Sequence, residues 1–371
     1  MYAMRVQIAI ALIALGYLVT AGAPLVQAAD PAGVVFTMSN GGTKNKVLTW
    51  SRAANGSLSL VGSMATGGRG TGGQLNNQGG LALSEDGKWL YVVNAASDSL
   101  SVFSISGTSL TRTDVEPSLG DKPISLAVKG TLVYVLNAGG NGNIRGFRRA
   151  NGTLTYVSGS ARPVSGNNTV PAQVGFTRDG SQLIVTERAT DRLTRYRVTA
   201  TGGVDAPVIT NSAGPEPFGF DVAPNGTLVV SEAGNHVNDG SSASSYRFNS
   251  SGVPVSVSAA VQTTESAACW TTITPDGRFA YVTNTPDHSI SGFALGSNGS
   301  LTILDADGRT AATGSGSFPI DLDASSDSNY LYVLATGTDR ILAYAIAGDG
   351  SLSARPGVGG LPGAANGLVA R

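Results

Sequence analysis

The 371 residues offer few side chains for proton transfer or metal binding: 25 Asp and Glu, two His (His236 and His288) and a single Cys, Cys269. One cysteine excludes an intramolecular disulfide, and one Cys with two His is too few for a zinc site. Asp305 and Asp307 before Gly308 begin like a calcium loop but lack the further spaced oxygens and distal Glu. No metal or other cofactor is therefore expected, and acid–base work falls to carboxylates. Glu187 and Glu232 stand out, because each closes an aromatic- or Val-rich run that ends in Asn in four of the other five copies. Two carboxylates near one site would raise the pKa of one of them toward a general base's working range. Alternatively, each is a hydrogen-bonded, solvated residue at a strand end.

The elements that must position these carboxylates follow from a repeated phrase. Its fullest copy, residues 273–293, runs from Asp276-Gly277 through Phe279-Ala280-Tyr281-Val282-Thr283-Asn284 to Ile290-Ser291-Gly292-Phe293. Asn40, Asn94, Asn137, Glu187, Glu232, Asn284 and Ala335 end the corresponding runs. Each unit also carries a later turn of the Asn-Gly, Asp-Gly or Gly type, such as Asn55-Gly56, Asn151-Gly152, Asn298-Gly299 and Asp349-Gly350. Such turns flanked by alternating apolar residues signal antiparallel hairpins, since they accept positive φ where the turn must match strand twist. Seven units of four short antiparallel strands give an all-β, seven-bladed propeller, because a single blade cannot bury both its faces. The first unit lacks its innermost strand, and Ala365-Asn366-Gly367-Leu368-Val369-Ala370 resembles the inner-strand phrase Gly79-Gly80-Leu81-Ala82-Leu83. The C-terminal strand is thus expected to join the first blade and close the ring. The 50 glycines are explained by these hairpins and by wide loops.

Within a blade, the start of strand 1 and the end of strand 2 meet at the same channel mouth. Strand 1 entries read Pro171-Ala172-Gln173, Pro217-Phe218-Gly219, Cys269-Trp270 and Pro319-Ile320-Asp321, the prolines fixing chain direction. Glu187, Glu232 and His236 are the candidate catalytic residues; Gln173, Trp270 and Arg188 are the candidate substrate contacts. Arg188 follows Glu187, so in a regular strand it points to the opposite blade face. His236 lies in the longest strand 2 to strand 3 connection, residues 233–245, which would serve as a lid or as a plain loop. Trp270 either stacks on a ring-shaped ligand or fills the channel. Cys269 reads as a small buried apolar residue.

The phrases Asp276-Gly277-Arg278-Phe279-Ala280-Tyr281-Val282-Thr283-Asn284 and Asp86-Gly87-Lys88-Trp89-Leu90-Tyr91-Val92-Val93-Asn94 resemble those of the lactonase-type seven-bladed propellers. That family includes the propeller 6-phosphogluconolactonases and the carboxymuconate cyclases. The resemblance spans essentially all of the chain after residue 29. It implies opening or closing of a lactone ring by proton transfer, with a cation binding the substrate's carboxylate or phosphate. The family's active-site blade reads Pro-Arg-His at the inner-strand entry and Asn-Glu at the end of strand 2. Here those positions hold Pro171-Ala172-Gln173 and Thr186-Glu187, so the carboxylate is kept and both basic residues are replaced.

Residues 1–29 read as a signal peptide, with Arg5 in the charged region, an apolar stretch to Val19 and small residues at Ala28-Ala29, leaving residues 30–371 as one propeller domain. A secreted or periplasmic protein is expected, free of the membrane once cleaved. With a net charge of -1 and no cluster of Lys and Arg, nucleic acid is not an expected partner. The expectation is a monomer that takes a small lactone or carbohydrate. Two functions follow: a lactone hydrolase in which Glu187 activates water, or a non-catalytic propeller that binds a glycan or protein through its channel face.

Overall fold

A computed structural model describes residues 31–371, apart from the side chain of His236. The proposed signal segment, residues 1–29, lies outside the described residues. The chain forms seven antiparallel sheets in a ring. Five sheets have four strands; in the blades built on Pro123–Lys129 and Ala268–Ile273 the outermost strand is broken in two. Blades are numbered 1 to 7 in chain order, beginning with Gly33–Met38.

Closure is as the terminal phrase indicates. The strand Asn366–Ala370 pairs antiparallel with Gly33–Met38, aligning Val35 with Ala370 and Thr37 with Leu368, and becomes the inner strand of blade 1. Two carboxylates of blade 7 reinforce this joint. Asp321 accepts the Leu368 N–H at 3.1 Å, and Asp323 accepts the Ala370 N–H at 2.8 Å. Asp221 of blade 5 does the same for the Ile273 N–H of blade 6. Asp321 is buried and Asp221 and Asp323 are half-buried, and burial pushes their carboxyls up, Asp323 to about 7.

Second strands such as Leu132–Asn137, Gln182–Glu187 and Phe279–Asn284 are buried along their whole length, because both blade faces pack on neighbours. Their alternating side chains therefore point at adjacent blades, and the channel ends are lined by connections. One connection fills the channel. Between blades 1 and 2, residues 74–78 cross the mouth, and the Gln78 side chain is clasped by the Thr271 main chain of blade 6, donating at 2.6 Å and accepting at 3.0 Å. The Gln78 N–H reaches the Ala172 carbonyl of blade 4, and the Asn77 amide bonds the Ile124 carbonyl of blade 3. Gly219 makes room for this plug, since a Cβ there would collide with Gln78 Oε1.

Candidate functional site

The mouth is built from a conformation repeated at the blade entries. Lys122, Val170, Glu216, Ala267 and Phe318, each directly before an inner strand, all have φ between 44° and 58°. Left-handed backbone is unfavourable for side chains of this bulk and needs a structural cause. In blades 3, 4, 5 and 7 the cause is a hydrogen bond. The carbonyls of Lys122, Val170, Glu216 and Phe318 accept the N–H groups of Ala138, Arg188, Ala233 and Thr336, which directly follow strand 2. The clamp fixes the backbone and leaves the side-chain type free: Lys122, Val170 and Phe318 are exposed at the mouth, whereas Glu216 is buried behind it.

Two cavities open there, on either side of the crossing segment, and Asn76 lines both. The first, about 260 Å³, lies between blades 3 and 4 and is bordered by Lys122, Arg188, Asn76, Asn141, Asn168 and Thr169 among others. Among the described residues, none of those lining it carries a carboxylate. The second, about 330 Å³, is bordered by Trp270, Phe318, Ile320, Thr285, Thr336 and Gly363 among others.

Arg188 belongs to this mouth. The strand ends at Glu187 and the chain turns into a short 3-10 segment, Arg188–Thr190, so the strand alternation expected to carry Arg188 to the opposite blade face does not apply. Its guanidinium lies 4.8 Å over the Phe218 ring and donates to Glu216 Oε1 at 2.6 Å. Glu216 Oε2 and Arg188 Nε are buried without a partner among the described residues. Phe218 in turn packs on Trp270, ring centroids 4.8 Å apart. Trp270 is 4% exposed and its Nε1 donates to the Asn77 carbonyl, so it both fills the channel top and walls the second cavity.

Glu187 and Glu232 lie elsewhere. Both are fully buried and tie strand 2 to the connection arriving from the preceding blade. Glu187 accepts the Ser165 N–H at 2.8 Å, the Ser165 hydroxyl and the Thr190 hydroxyl. Glu232 accepts the Gly214 N–H at 2.8 Å and the hydroxyls of Ser212 and Ser242; burial raises its pKa against the pull of these donors. Both carboxylates are hydrogen-bonded at strand ends, but not solvated as the strand-end alternative expects, because the neighbouring blade covers them. Asn94 fills the same place in blade 2, linking Thr66, Ser99 and Ser101. Neither carboxylate borders a mouth cavity, and the two are not brought together in one.

Gln173 also departs from the expected mouth position. Its amide donates to the Phe220 carbonyl at 3.0 Å and accepts the Phe220 N–H at 2.7 Å, stitching blade 4 to blade 5, and it borders a cavity with Arg178 and Asp221 at the other end of the channel. His236 ends the short 3-10 segment Gly234–His236, and its side chain lies outside the described residues. Cys269 is buried, and burial pushes its thiol up to about 12. Sequence reasoning passed over Glu216, Lys122 and Phe318; the signal was the residue before each entry proline.

Residues 41–162 match the family model described as Lactonase, 7-bladed beta-propeller. No curated protein matches the chain. Among solved structures, a protein from Lactobacillus plantarum superposes with a TM-score of 0.73 at 20% identity, covering 91% of this chain and 99% of the other. A proposed 6-phosphogluconolactonase from Bacteroides fragilis gives 0.72 at 16%, covering 93% and 99%. The periplasmic gluconolactonase of Pseudomonas aeruginosa gives 0.71 at 16%, covering 91% and 98%. The chain is a seven-bladed β-propeller, similar over residues 41–162 to the lactonase-type propellers.

Proposed function

We propose that this protein is an exported lactonase whose mouth cavity between blades 3 and 4 holds a small lactone and its ring-opened hydroxy acid. The observation that carries this reading is a pair of cations, Arg188 and Lys122, on the lining of one cavity, with Glu216 buried behind Arg188 and holding its guanidinium. Arg188 and Lys122 favour an acyl oxygen that becomes negative as water adds, the electrostatic contribution that acyl transfer most needs. The attacking water gives up a proton to solvent at the open mouth, while Glu216, outside the cavity lining, positions Arg188. The ring C–O bond then breaks, a proton from solvent passes to the leaving alkoxide, and the product is a hydroxy acid. Export is supported by the composition of residues 1–29 and by the likeness to a periplasmic gluconolactonase.

One observation favours a second reading, a non-catalytic propeller that binds a glycan or protein at its channel face: Glu187 and Glu232 are both engaged in inter-blade bonds. Acid release from a panel of lactones, compared between the wild type and Arg188→Gln, separates the two. Turnover lost in the variant supports the hydrolase; binding without turnover in the wild type supports the second reading.

A further inference from the structure

We propose that the ligand carries an apolar substituent, an alkyl or acyl chain or an aryl ring, which crosses Asn76 and lies in the second mouth cavity against Phe318, Trp270 and Ile320. This rests on the assignment of the first cavity to a lactone or hydroxy-acid head group. The two cavities differ in chemistry in the way such a ligand requires. The first carries Lys122 and Arg188; the second, among the described residues, is bordered by no charged side chain.

The cavities are joined by shared walls. Asn76 is exposed and borders both, standing as the saddle between them. Behind the walls, the Arg188 guanidinium lies over the buried Phe218 ring, which packs at a tilt of 55° on Trp270, so the two cavities share a rigid backing. A head group on Arg188 can therefore send a substituent past Asn76, which borders both cavities, into the second.

Phe318 is the strongest pointer. It is 48% exposed although its backbone is left-handed, with φ 44°. Its carbonyl clamp to Thr336 would be made equally well by glycine, which adopts this conformation without strain. The clamp accounts for the backbone, and an edge-to-face contact with His288, centroids 4.9 Å apart, holds one side of the ring; neither covers the half of it that stays in water at the rim of an apolar cavity. A ligand's apolar group covering that ring accounts for it.

The test measures binding of 4-hydroxypentanoate and 4-hydroxynonanoate to the full chain by calorimetry. Each extra methylene that becomes fully buried tightens binding by about fourfold, so the longer acid should bind at least about tenfold more tightly. Phe318→Gly keeps the left-handed backbone and should cut that gain to about twofold or less while leaving the shorter acid unaffected. Gly363→Leu is the second variant: a Cβ there meets nothing nearer than Asp339 Oδ1 at 3.7 Å, so the added side chain occupies the cavity without disturbing the fold. It should abolish the gain as well. Equal affinities for the two acids in the wild type, or a gain that survives both variants, overturns the apolar subsite and leaves the head-group site standing. Failure of either acid to bind overturns the head-group assignment and this inference with it.

Discussion

Arg188 and Glu216, 28 positions apart and on neighbouring blades, meet at 2.6 Å on the wall of the mouth, with Phe218 beneath the guanidinium. Neither residue is at a strand-end repeat position; one begins the turn after strand 2 and the other sits left-handed before strand 1. Replacing Glu216 by Gln keeps an acceptor for Arg188 but removes the charge that holds its guanidinium. Affinity for the hydroxy-acid product and turnover of a lactone should fall together, by about three- to thirtyfold. Turnover lost with product affinity unchanged would show that Glu216 acts on the reacting groups rather than through Arg188.

The inter-blade carboxylates should behave as structural residues. Glu187→Gln and Glu232→Gln each exchange a buried acceptor for an amide whose N–H₂ faces donors, at a cost of about 1–3 kcal/mol. Urea unfolding should show lower midpoints for both, with hydroxy-acid affinity unchanged at concentrations where the variants remain folded. An unchanged midpoint together with lost binding would return these residues to the ligand site.

Ring closure gives a pH dependence of definite sign. Asp323 is half-buried beside Asp321 and Asp221, and its folded-state carboxyl sits at about 7, above the unfolded value. The folded state then holds more protons than the unfolded chain between about pH 4 and 7, so this contribution to stability is complete at the acid end and lost as pH rises through 7. Thermal midpoints of Asp323→Asn should therefore decline less between these values than those of the wild type. Identical slopes would mean that Asp323 titrates normally in the fold.

The C-terminal strand should be indispensable. Removing residues 366–371 strips blade 1 of its inner strand and blade 7 of the N–H groups bonded to Asp321 and Asp323. It leaves the inner edge of Gly33–Met38 unpaired. The truncated chain should unfold without a cooperative transition in differential scanning calorimetry; a sharp transition near the wild-type midpoint would show that closure contributes little.

The blades were readable because hairpin turns and alternating runs are local patterns, and the closing strand because it repeats the inner-strand phrase. The mouth was harder to read, for a geometric reason. Glu187 and Glu232 mark the right end of the channel, but strand side chains alternate between blade faces that both pack on neighbours, which directs these carboxylates between blades. What faces the mouth, or in Glu216 lies buried behind it, is the residue before each entry proline, visible as Lys122-Pro123, Val170-Pro171, Glu216-Pro217 and Phe318-Pro319, yet its left-handed backbone depends on a partner some 16 to 18 residues later in the chain. Gln78 was not foreseeable. Its two partners lie on the Thr271 main chain, which no local pattern connects to a Gly-rich loop.

The most direct test of the mouth site compares Arg188→Gln with Glu187→Gln in the same acid-release and product-binding measurements, made below both variants' unfolding midpoints. Loss of the guanidinium should weaken hydroxy-acid binding by about ten- to a hundredfold and abolish turnover, whereas Glu187→Gln should retain both. Normal binding and turnover in Arg188→Gln, with both lost in Glu187→Gln, would contradict the account and place the site at the end of strand 2.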